Sequence, residues 1–242
     1  MSKNPFAITA LAVTLTLGIA SAPAEALNPN ADPAHVAADS EGFLTDRPDL
    51  RWRKIGLGHF EDGKLEKAFD AFKRSSHYAD KGSQAMVAEM FWKGTGTPAD
   101  RPSAYAWMDL AAERGYKDFA AVREFYWKSM SEDERERALQ VGKEVYADFG
   151  DDVAKPRLER MLDKGRRVTT GSRTGFKGAL TIMLPGNGGW ISLDAEQYYD
   201  KKFWQPELYF EWQDQIWREP YKGRVEVGEI AEARPADSSE RK

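Results

Sequence analysis

Apolar side chains recur at steps of three and four along residues 50–149, and this spacing strongly restricts what the chain can form. A step near 3.6 places apolar residues on one face of a helix, whereas a half-buried strand would need strict alternation. Turn-forming residues divide the pattern into six runs, with breaks at Gly63, at Gly82 and in the sequence KGTG that contains Gly94. We therefore predict six helices joined by short turns, the last over residues 132–149, where Ser and Glu open the helix at capping-box spacing.

Two landmarks of this region recur at the same distance. Phe60 and Phe91 are 31 residues apart, and so are Gly63 and Gly94. A period in the thirties is typical of helical arrays in which each pair of helices packs on the next. The sequence thus predicts a mainly α-helical fold, an α-solenoid of about three helix pairs over residues 49–150.

The sequence GTGTPADRPSAYAWMDLAAERG joins the third predicted helix to the fourth. Gly94 and Gly96 can adopt positive φ at little steric cost, which allows the chain to reverse after a helix. Asp100 stands where an N-cap belongs, and its carboxylate is expected to accept from free backbone amides of the next turn. Trp107 is expected to fill the space between layers of alanines that let helices approach closely. Those alanines are Ala104, Ala111 and Ala112.

Residues 85–115, AMVAEMFWKGTGTPADRPSAYAWMDLAAERG, resemble a Sel1-like repeat, a relative of the tetratricopeptide repeat. Residues 52–76 are similar to an ordinary tetratricopeptide repeat, and a third, degenerate pair follows from residue 118 to 149. The resemblance implies a concave surface that binds proteins or peptides, an adaptor or assembly role, and no cofactor. The residues that carry the repeat signature are Gly56, Gly63, Ala68, Phe72, Ala85, Phe91, Gly94, Gly96, Asp100, Ala104, Trp107, Ala111, Ala112 and Gly115.

The N-terminal sequence MSKNPFAITALAVTLTLGIASAPAEA has the layout of a secretory signal. Lys3 is its only early charge, an apolar run follows, and small residues allow cleavage after Ala24 or Ala26. The apolar run is shorter than the ~20 residues that cross a bilayer as a helix. We therefore expect residues 1–26 to be a cleaved signal and residues 27–48 a flexible leader. The mature protein is expected to be periplasmic or secreted, with no membrane span.

The pattern changes after residue 150, and we predict a small α+β domain over residues 151–231. A short helix that ends before Gly165, a hairpin with Asn187-Gly188 at its turn, a helix interrupted near Pro206 and a late strand make up this domain. We expect it to cover the exposed end of the array, because terminal repeats need such covering. Residues 232–242 are expected to be a disordered tail.

A polar, glycine-rich sequence, TTGSRTGFKG, is a candidate anion or ligand loop in this domain. It lacks the glycine and lysine spacing of a phosphate-binding loop, and it precedes a strand instead of opening a helix. A solvated basic loop is the alternative interpretation. The basic residues grouped there are Arg166, Arg167, Arg173 and Lys177.

Composition removes several function classes. The formal net charge of −4 argues against a nucleic-acid partner, and the absence of cysteine excludes disulfides and thiolate chemistry. The histidines, His35, His59 and His77, have no metal-ligand spacing, so we predict neither a metal site nor catalytic residues. The favoured function is a non-enzymatic protein-binding module. The alternative is a carboxylate-dependent envelope enzyme, or a carbohydrate- or peptidoglycan-binding protein that uses the ten aromatic residues in 190–221.

Overall fold

A computed structural model describes residues 40–169, 181–186, 189–194 and 200–218 of the chain. Helices make up most of these residues, and the six predicted helices are present in the predicted order. The α-helices are α1 (Glu41–Leu44), α2 (Pro48–Glu61), α3 (Leu65–Ser76), α4 (Lys81–Lys93), α5 (Arg101–Ala111), α6 (Lys117–Ser129), α7 (Glu132–Phe149), α8 (Asp151–Thr169) and α9 (Pro206–Arg218), with 3₁₀ turns at Ala112–Arg114 and Lys201–Phe203. None of the described helices combines the length and apolar character needed to cross a bilayer.

Helices α2 to α5 form two successive pairs. Helix α2 packs along α3, α4 packs along α5, and α4 also packs on α3, so the first two pairs stack as a helical repeat array does. The predicted third pair is wrong, because α6 and α7 do not pack on each other as a pair: each packs on α5, and α7 does so more extensively. This arrangement gives a physical reason for the degenerate signature there: α6 and α7 do not need the small residues that bring two paired helices together.

The turns between helices follow the predicted backbone chemistry at most positions. Gly94 and Gly96 have φ of 68° and 72°, so both use the left-handed region that the reversal after α4 requires. The Ser131 hydroxyl accepts from the Glu134 amide at 3.3 Å, and the Glu134 carboxylate accepts from the Ser131 amide at 2.8 Å. These two bonds complete the predicted capping box of α7.

The predicted capping role of Asp100 is wrong. Asp100 occupies the N-cap position of α5, but its side chain makes no hydrogen bond to the backbone of the helix. Its carboxylate instead accepts from the Ser103 hydroxyl at 2.7 Å and from the Arg137 guanidinium at 3.1 Å. The side chain therefore links α5 to α7, and these two partners draw it away from the free amides of the first turn.

The C-terminal helices do not support a separate α+β domain. Leu158 of α8 and Tyr209 of α9 lie in one buried cluster with Phe43 and Leu50 from the other end of the described chain. The buried Arg47 guanidinium lies between aromatic rings of α1 and of the Phe203 turn, 3.6 Å from the centre of the Phe43 ring. The C-terminal helices and the first helices therefore share a single apolar core.

Helix α8 continues beyond its predicted end. Gly165 was expected to follow the helix, but it is a buried residue within α8, which extends to Thr169. A β-carbon built on Gly165 would lie 2.4 Å from Cγ of Asp46, so the glycine here permits close packing and does not terminate a helix.

A two-stranded antiparallel hairpin follows, with β1 (Thr181–Gly186) paired to β2 (Gly189–Asp194). Its register places Ile182 opposite Leu193 and Gly186 opposite Gly189, on either side of the predicted Asn187-Gly188 turn. That turn, the expected signal over 1–26, the late strand and the expected tail over 232–242 lie outside the described residues, as does the leader before residue 40.

Candidate protein-binding site

The repeat-signature residues are mostly packing residues of the array. Trp107 is buried and its ring centre lies 4.6 Å from that of Phe149, so it fills the space between α5 and α7. A β-carbon on Gly56 would lie 2.7 Å from the Phe72 ring, and one on Gly96 would lie 2.4 Å from the Leu65 carbonyl oxygen. The buried members of the set are Gly56, Ala68, Phe72, Ala85, Ala104, Trp107, Ala111 and Ala112. Phe91 is half-buried, and Gly63, Gly94 and Gly115 are exposed with positive φ.

The first helices of the pairs, α2, α4 and α6, are covered at their N-terminal ends. We call the surface formed by these N-terminal ends the start edge. It is defined by Asp49 of α2, Gly82 of α4 and Phe119 of α6. The Trp217 indole of α9 lies against both Gly82 and Phe119. A β-carbon built on Gly82 would be only 2.4 Å from the indole, and the centres of the Trp217 and Phe119 rings are 5.2 Å apart. Helix α9 therefore occupies the start edge, which leaves little of it for an external ligand.

Buried charges hold α9 on the start edge. Arg114 is the centre of this network: its guanidinium lies 2.7 Å from Asp151 of α8 and 2.9 Å from Asp214 of α9, and its side chain is 7% exposed. The Tyr116 hydroxyl also donates to Asp214, and Lys81 lies 3.1 Å from Asp151. Charges of both signs are thus paired at the point where three helices and a 3₁₀ turn meet, as buried ions require.

The network changes the protonation equilibria of its members. Burial alone would raise the pKa of Asp151, but its hydrogen bond to Arg114 and the nearby Lys81 charge hold that pKa well below the usual range. Burial and the bond to Asp214 raise the pKa of Tyr116 above its ordinary value, so this hydroxyl stays a proton donor. Asp151 therefore stays ionised at neutral pH, while burial lowers the pKa of Lys81 beside it.

Asp49 differs from these carboxylates, because it is buried without a cation in contact. Burial is the main cause that raises the pKa of Asp49 to about 6, and the Tyr209 hydroxyl donates to it at 2.6 Å. Asp49 and Gln213 each retain one buried side-chain atom without a hydrogen-bond partner, and both line a cavity of about 10 Å³. A cavity of that size holds a single water and no substrate, so Asp49 is not placed to act as a catalytic acid.

We call the opposite ends of the first helices the end edge. It is defined by Phe60 of α2, Trp92 of α4 and Phe125 of α6. The Phe60 side chain is 36% exposed and that of Phe125 is 49% exposed. The Trp92 ring is half-buried, stacked on Tyr126 with 4.0 Å between ring centres, and lies 6.0 Å from Phe125. Helices α2, α4 and α6 thus each carry one aromatic residue near this end, and those of α4 and α6 are in contact.

Arg101 adds a charge to the end edge. Its guanidinium lies over the Trp92 ring, 5.1 Å from the ring centre, and 3.5 Å from the Ser129 carbonyl oxygen at the end of α6. Rings and an arginine in contact are characteristic of protein-binding surfaces, where aromatic residues and arginine are enriched. Helical spacing in the sequence indicates Phe60 and Phe125 as members of apolar stripes, but it does not indicate which parts of those stripes stay exposed.

The candidate ligand loop is not a loop at its N-terminal side. Arg166 and Arg167 are exposed residues of the last turns of α8, and Arg166 pairs with Asp163 at 2.9 Å. Helical backbone places these two side chains on α8, so the predicted four-residue basic loop is wrong at these positions. Arg173 and Lys177 lie outside the described residues.

The histidines have structural surroundings in the described part of the chain. His59 is half-buried, and the His77 ring lies 4.4 Å from the Phe149 ring with its Nδ1 atom 3.2 Å from Arg157. Burial lowers the pKa of His77 below its ordinary value. Within residues 40–169 and 200–218, the structure brings no three potential metal-ligating side chains together. His35 lies outside the described residues.

Six of the ten aromatic residues in 190–221 have described side chains, and four of these are buried. Phe203 and Tyr209 are 0% exposed, so they cannot offer a platform to a sugar ring. Trp212 packs against the Phe203 ring with 5.0 Å between ring centres, and Trp217 lies on the start edge. For these residues the structure favours the core interpretation over a carbohydrate-binding surface.

Comparisons with known proteins leave the family of the chain open. No family model matches the sequence, and no curated protein matches it either. Among solved structures, the chain is similar to a protective antigen of uropathogenic Escherichia coli strains that displays an SLR fold, with a TM-score of 0.42 and 15% sequence identity. The similarity covers 58% of this chain and 33% of that chain, so the chain spans about a third of the length of that protein.

Proposed function

We propose that this chain is a helical-repeat module that binds a protein or peptide partner at the end edge. The observation that carries the proposal is the exposure of Phe60 and Phe125 at the ends of α2 and α6, with the half-buried Trp92 of α4 beside Phe125. Exposed aromatic residues beside an arginine are the usual centre of a protein-protein contact. Helix α9 lies on the opposite edge, at Gly82 and Phe119, so that edge is less available to a partner.

We also propose that the module works in the bacterial cell envelope as an adaptor or assembly factor. The proposal is supported by the signal-like sequence of residues 1–26, with its cleavage positions at Ala24 and Ala26. Expression of the full chain in a bacterium, followed by fractionation and N-terminal sequencing, tests this part. A periplasmic product that begins at residue 25 or 27 is expected, and an intact cytoplasmic product contradicts export.

Variants of the two most exposed rings test the binding surface. The Phe60→Ser and Phe125→Ser variants remove apolar area from the end edge while leaving the buried array unchanged. The matched control is Leu139→Ser, because Leu139 is a single apolar residue of α7 that is 54% exposed. All three variants are expected to keep the helical circular dichroism of the wild type.

Photo-crosslinking in the envelope fraction, with partners identified by mass spectrometry, is the measurement. The wild type and Leu139→Ser are expected to crosslink the same partner, and the two phenylalanine variants are expected to lose most of that product. Equal crosslinking by all four proteins would show that the partner does not bind at this edge. If no protein is crosslinked to any of them, the proposed module function is contradicted.

A further inference from the structure

The small cavity at the start edge lies where the helical array meets the last described helix. Asp49 of α2 and Gln213 of α9 both line this cavity of about 10 Å³. Both side chains are buried, so neither can satisfy its polar atoms with bulk water. Two buried polar side chains from helices far apart in the sequence therefore face one small space.

These two side chains present complementary hydrogen-bonding groups. Oδ1 of Asp49 and Nε2 of Gln213 have no hydrogen-bond partner among the residues that the structure describes. The amide nitrogen can only donate, whereas the oxygen of an ionised carboxylate can only accept. Buried polar groups in native proteins are paired with protein atoms or with ordered water. The two atoms do not bond to each other, so a ligand that both accepts and donates is needed to satisfy them.

Tyr209 determines which oxygen of Asp49 meets such a ligand. Its hydroxyl donates to Oδ2 of Asp49 at 2.6 Å, and burial raises the pKa of Tyr209 well above its ordinary value, so this hydroxyl stays a donor. When Asp49 is protonated, its proton therefore belongs on Oδ1. The ligand must accept from Oδ1 in the acid form and donate to it in the ionised form. Water does both, whereas an ammonium group only donates.

The charged residues around the cavity are already paired, which favours a neutral ligand over an ion. Lys81 lies 2.6 Å from Glu113, and Arg114 lies 2.7 Å from Asp151. Asp80 also lines the cavity and pairs with an arginine of α2 at 2.7 Å. A cation at this site would meet the buried charges of Lys81 and Arg114, and burying a further ion without a partner is costly.

We propose that the cavity binds one ordered water molecule, which accepts from Nε2 of Gln213, bonds Oδ1 of Asp49 and so links α9 to α2. A cavity of this volume has room for a single water, and a buried water bonds two to four polar groups. The water gives α9 a second polar link to Asp49, in addition to the direct bond from Tyr209. The inference is independent of the proposed function, because the cavity lies at the start edge and the proposed partner binds at the end edge.

A high-resolution crystal structure of the wild-type full chain is the direct test. One water peak is expected within about 2.7–3.2 Å of both Oδ1 of Asp49 and Nε2 of Gln213. A direct hydrogen bond between these two side chains overturns the inference, and so does a well-ordered cavity without a water peak.

Nuclear magnetic relaxation dispersion of water gives a second test, because it counts long-lived internal waters in solution. Gln213→Leu removes the donor at similar side-chain volume and is expected to lose about one such water relative to the wild type. Gln215→Leu is the matched control, because Gln215 is an exposed residue of the same helix, and it is expected to keep the wild-type count. An unchanged count in Gln213→Leu, with helical circular dichroism retained, contradicts the inference. If Gln213→Leu does not fold, the crystal structure of the wild type decides.

Discussion

The Tyr209 hydroxyl donates a 2.6 Å hydrogen bond to the Asp49 carboxylate, and this bond joins residues that are 160 positions apart in the chain. Asp49 opens the first long helix, and Tyr209 belongs to the last described one. Both side chains are buried, so neither can replace the bond by one to bulk water. The stability of the array is therefore coupled to the C-terminal helix through a buried polar contact.

Tyr209→Phe is expected to lower the free energy of unfolding by about 1–3 kcal/mol, because it leaves a buried carboxylate without its donor. Urea unfolding at neutral pH is the measurement. Tyr78→Phe is the control: Tyr78 packs against the same cluster, its hydroxyl has no hydrogen bond in the described structure, and it is expected to change stability by less than about 0.5 kcal/mol. If both variants change stability equally, the bond contributes nothing.

Asp49→Asn is expected to change how stability depends on pH. Because burial raises the pKa of Asp49 in the folded chain from 3.8 to about 6, the folded state binds more protons than the unfolded state between these values. The protonated group contributes its stability fully below pH ~4, and this contribution is lost as the pH rises through ~6. The charged groups nearest to it are Asp80, which acts in the same direction, and Arg53, which opposes it.

Asparagine does not titrate, so the variant lacks this loss. The free energy of unfolding of Asp49→Asn minus that of the wild type is expected to increase by about 2 kcal/mol between pH 4 and pH 7. Urea unfolding at the two pH values gives the difference directly, and the other carboxylates cancel because both proteins contain them. A difference that stays constant with pH would mean that the pKa of Asp49 is not raised in the folded chain.

Arg114→Met is expected to destabilise the fold by about 3–5 kcal/mol. The substitution keeps the apolar stem but removes the buried charge that bridges Asp151 and Asp214, and loss of a buried ion pair is costly even though Lys81 and Arg218 remain near these carboxylates. Arg137→Met is the matched control, because Arg137 also pairs with an aspartate but its side chain is 64% exposed. An exposed pair of that kind contributes about 0–1 kcal/mol.

Urea unfolding distinguishes the two arginine variants. If Arg114→Met costs no more than Arg137→Met, Asp151 and Asp214 have found other partners or water, and the network does not hold α9 on the start edge. Hydrogen exchange then gives a second measurement: the amides of α9 are expected to lose protection first in Arg114→Met, because α9 depends on Asp214 for this contact.

The sequence was sufficient to predict the helices that depend on local patterns. Apolar spacing located α2 to α7, and the capping box at Ser131 located the start of α7, because these signals act within a few residues. Gly165 shows where the local rule fails. A glycine usually marks a helix end, but here contact with Asp46, more than a hundred residues earlier, requires the absence of a side chain within the helix.

The candidate site was less predictable, because it depends on contacts between distant helices. Lys81 and Arg114 have the sequence character of solvated charges, and only the packing of α8 and α9 makes them buried partners of Asp151 and Asp214. Likewise, Phe125 belongs to an apolar stripe by spacing, yet the fold leaves it exposed on the end edge. Periodicity assigns residues to a helix face but does not determine which part of that face is covered.

Gly96→Ala is expected to cost more than Gly63→Ala. The two glycines have nearly the same φ, 72° and 73°, so a side chain strains the backbone equally at both, by about 1–2 kcal/mol. At Gly96 a β-carbon would also lie 2.4 Å from the Leu65 carbonyl oxygen, whereas at Gly63 it would meet nothing within 4 Å. Equal losses on urea unfolding would show that the loop moves away from Leu65 at no cost.

Gly82→Ala tests whether Trp217 packs against Gly82 on the start edge. At an open helical position this change stabilises a protein by about 0.5–1 kcal/mol, and Gly142→Ala of α7, where a β-carbon meets nothing within 4 Å, is expected to do so. At Gly82 the β-carbon would lie 2.4 Å from the indole, so the variant is expected to lose about 1–3 kcal/mol instead. In a Trp217→Ala background the obstacle is absent, and Gly82→Ala is expected to become neutral or stabilising. Urea unfolding of the wild type, Gly82→Ala, Trp217→Ala and the double variant measures the coupling between residues 82 and 217. If Gly82→Ala stabilises the wild type as Gly142→Ala does, α9 does not pack on α4 in solution.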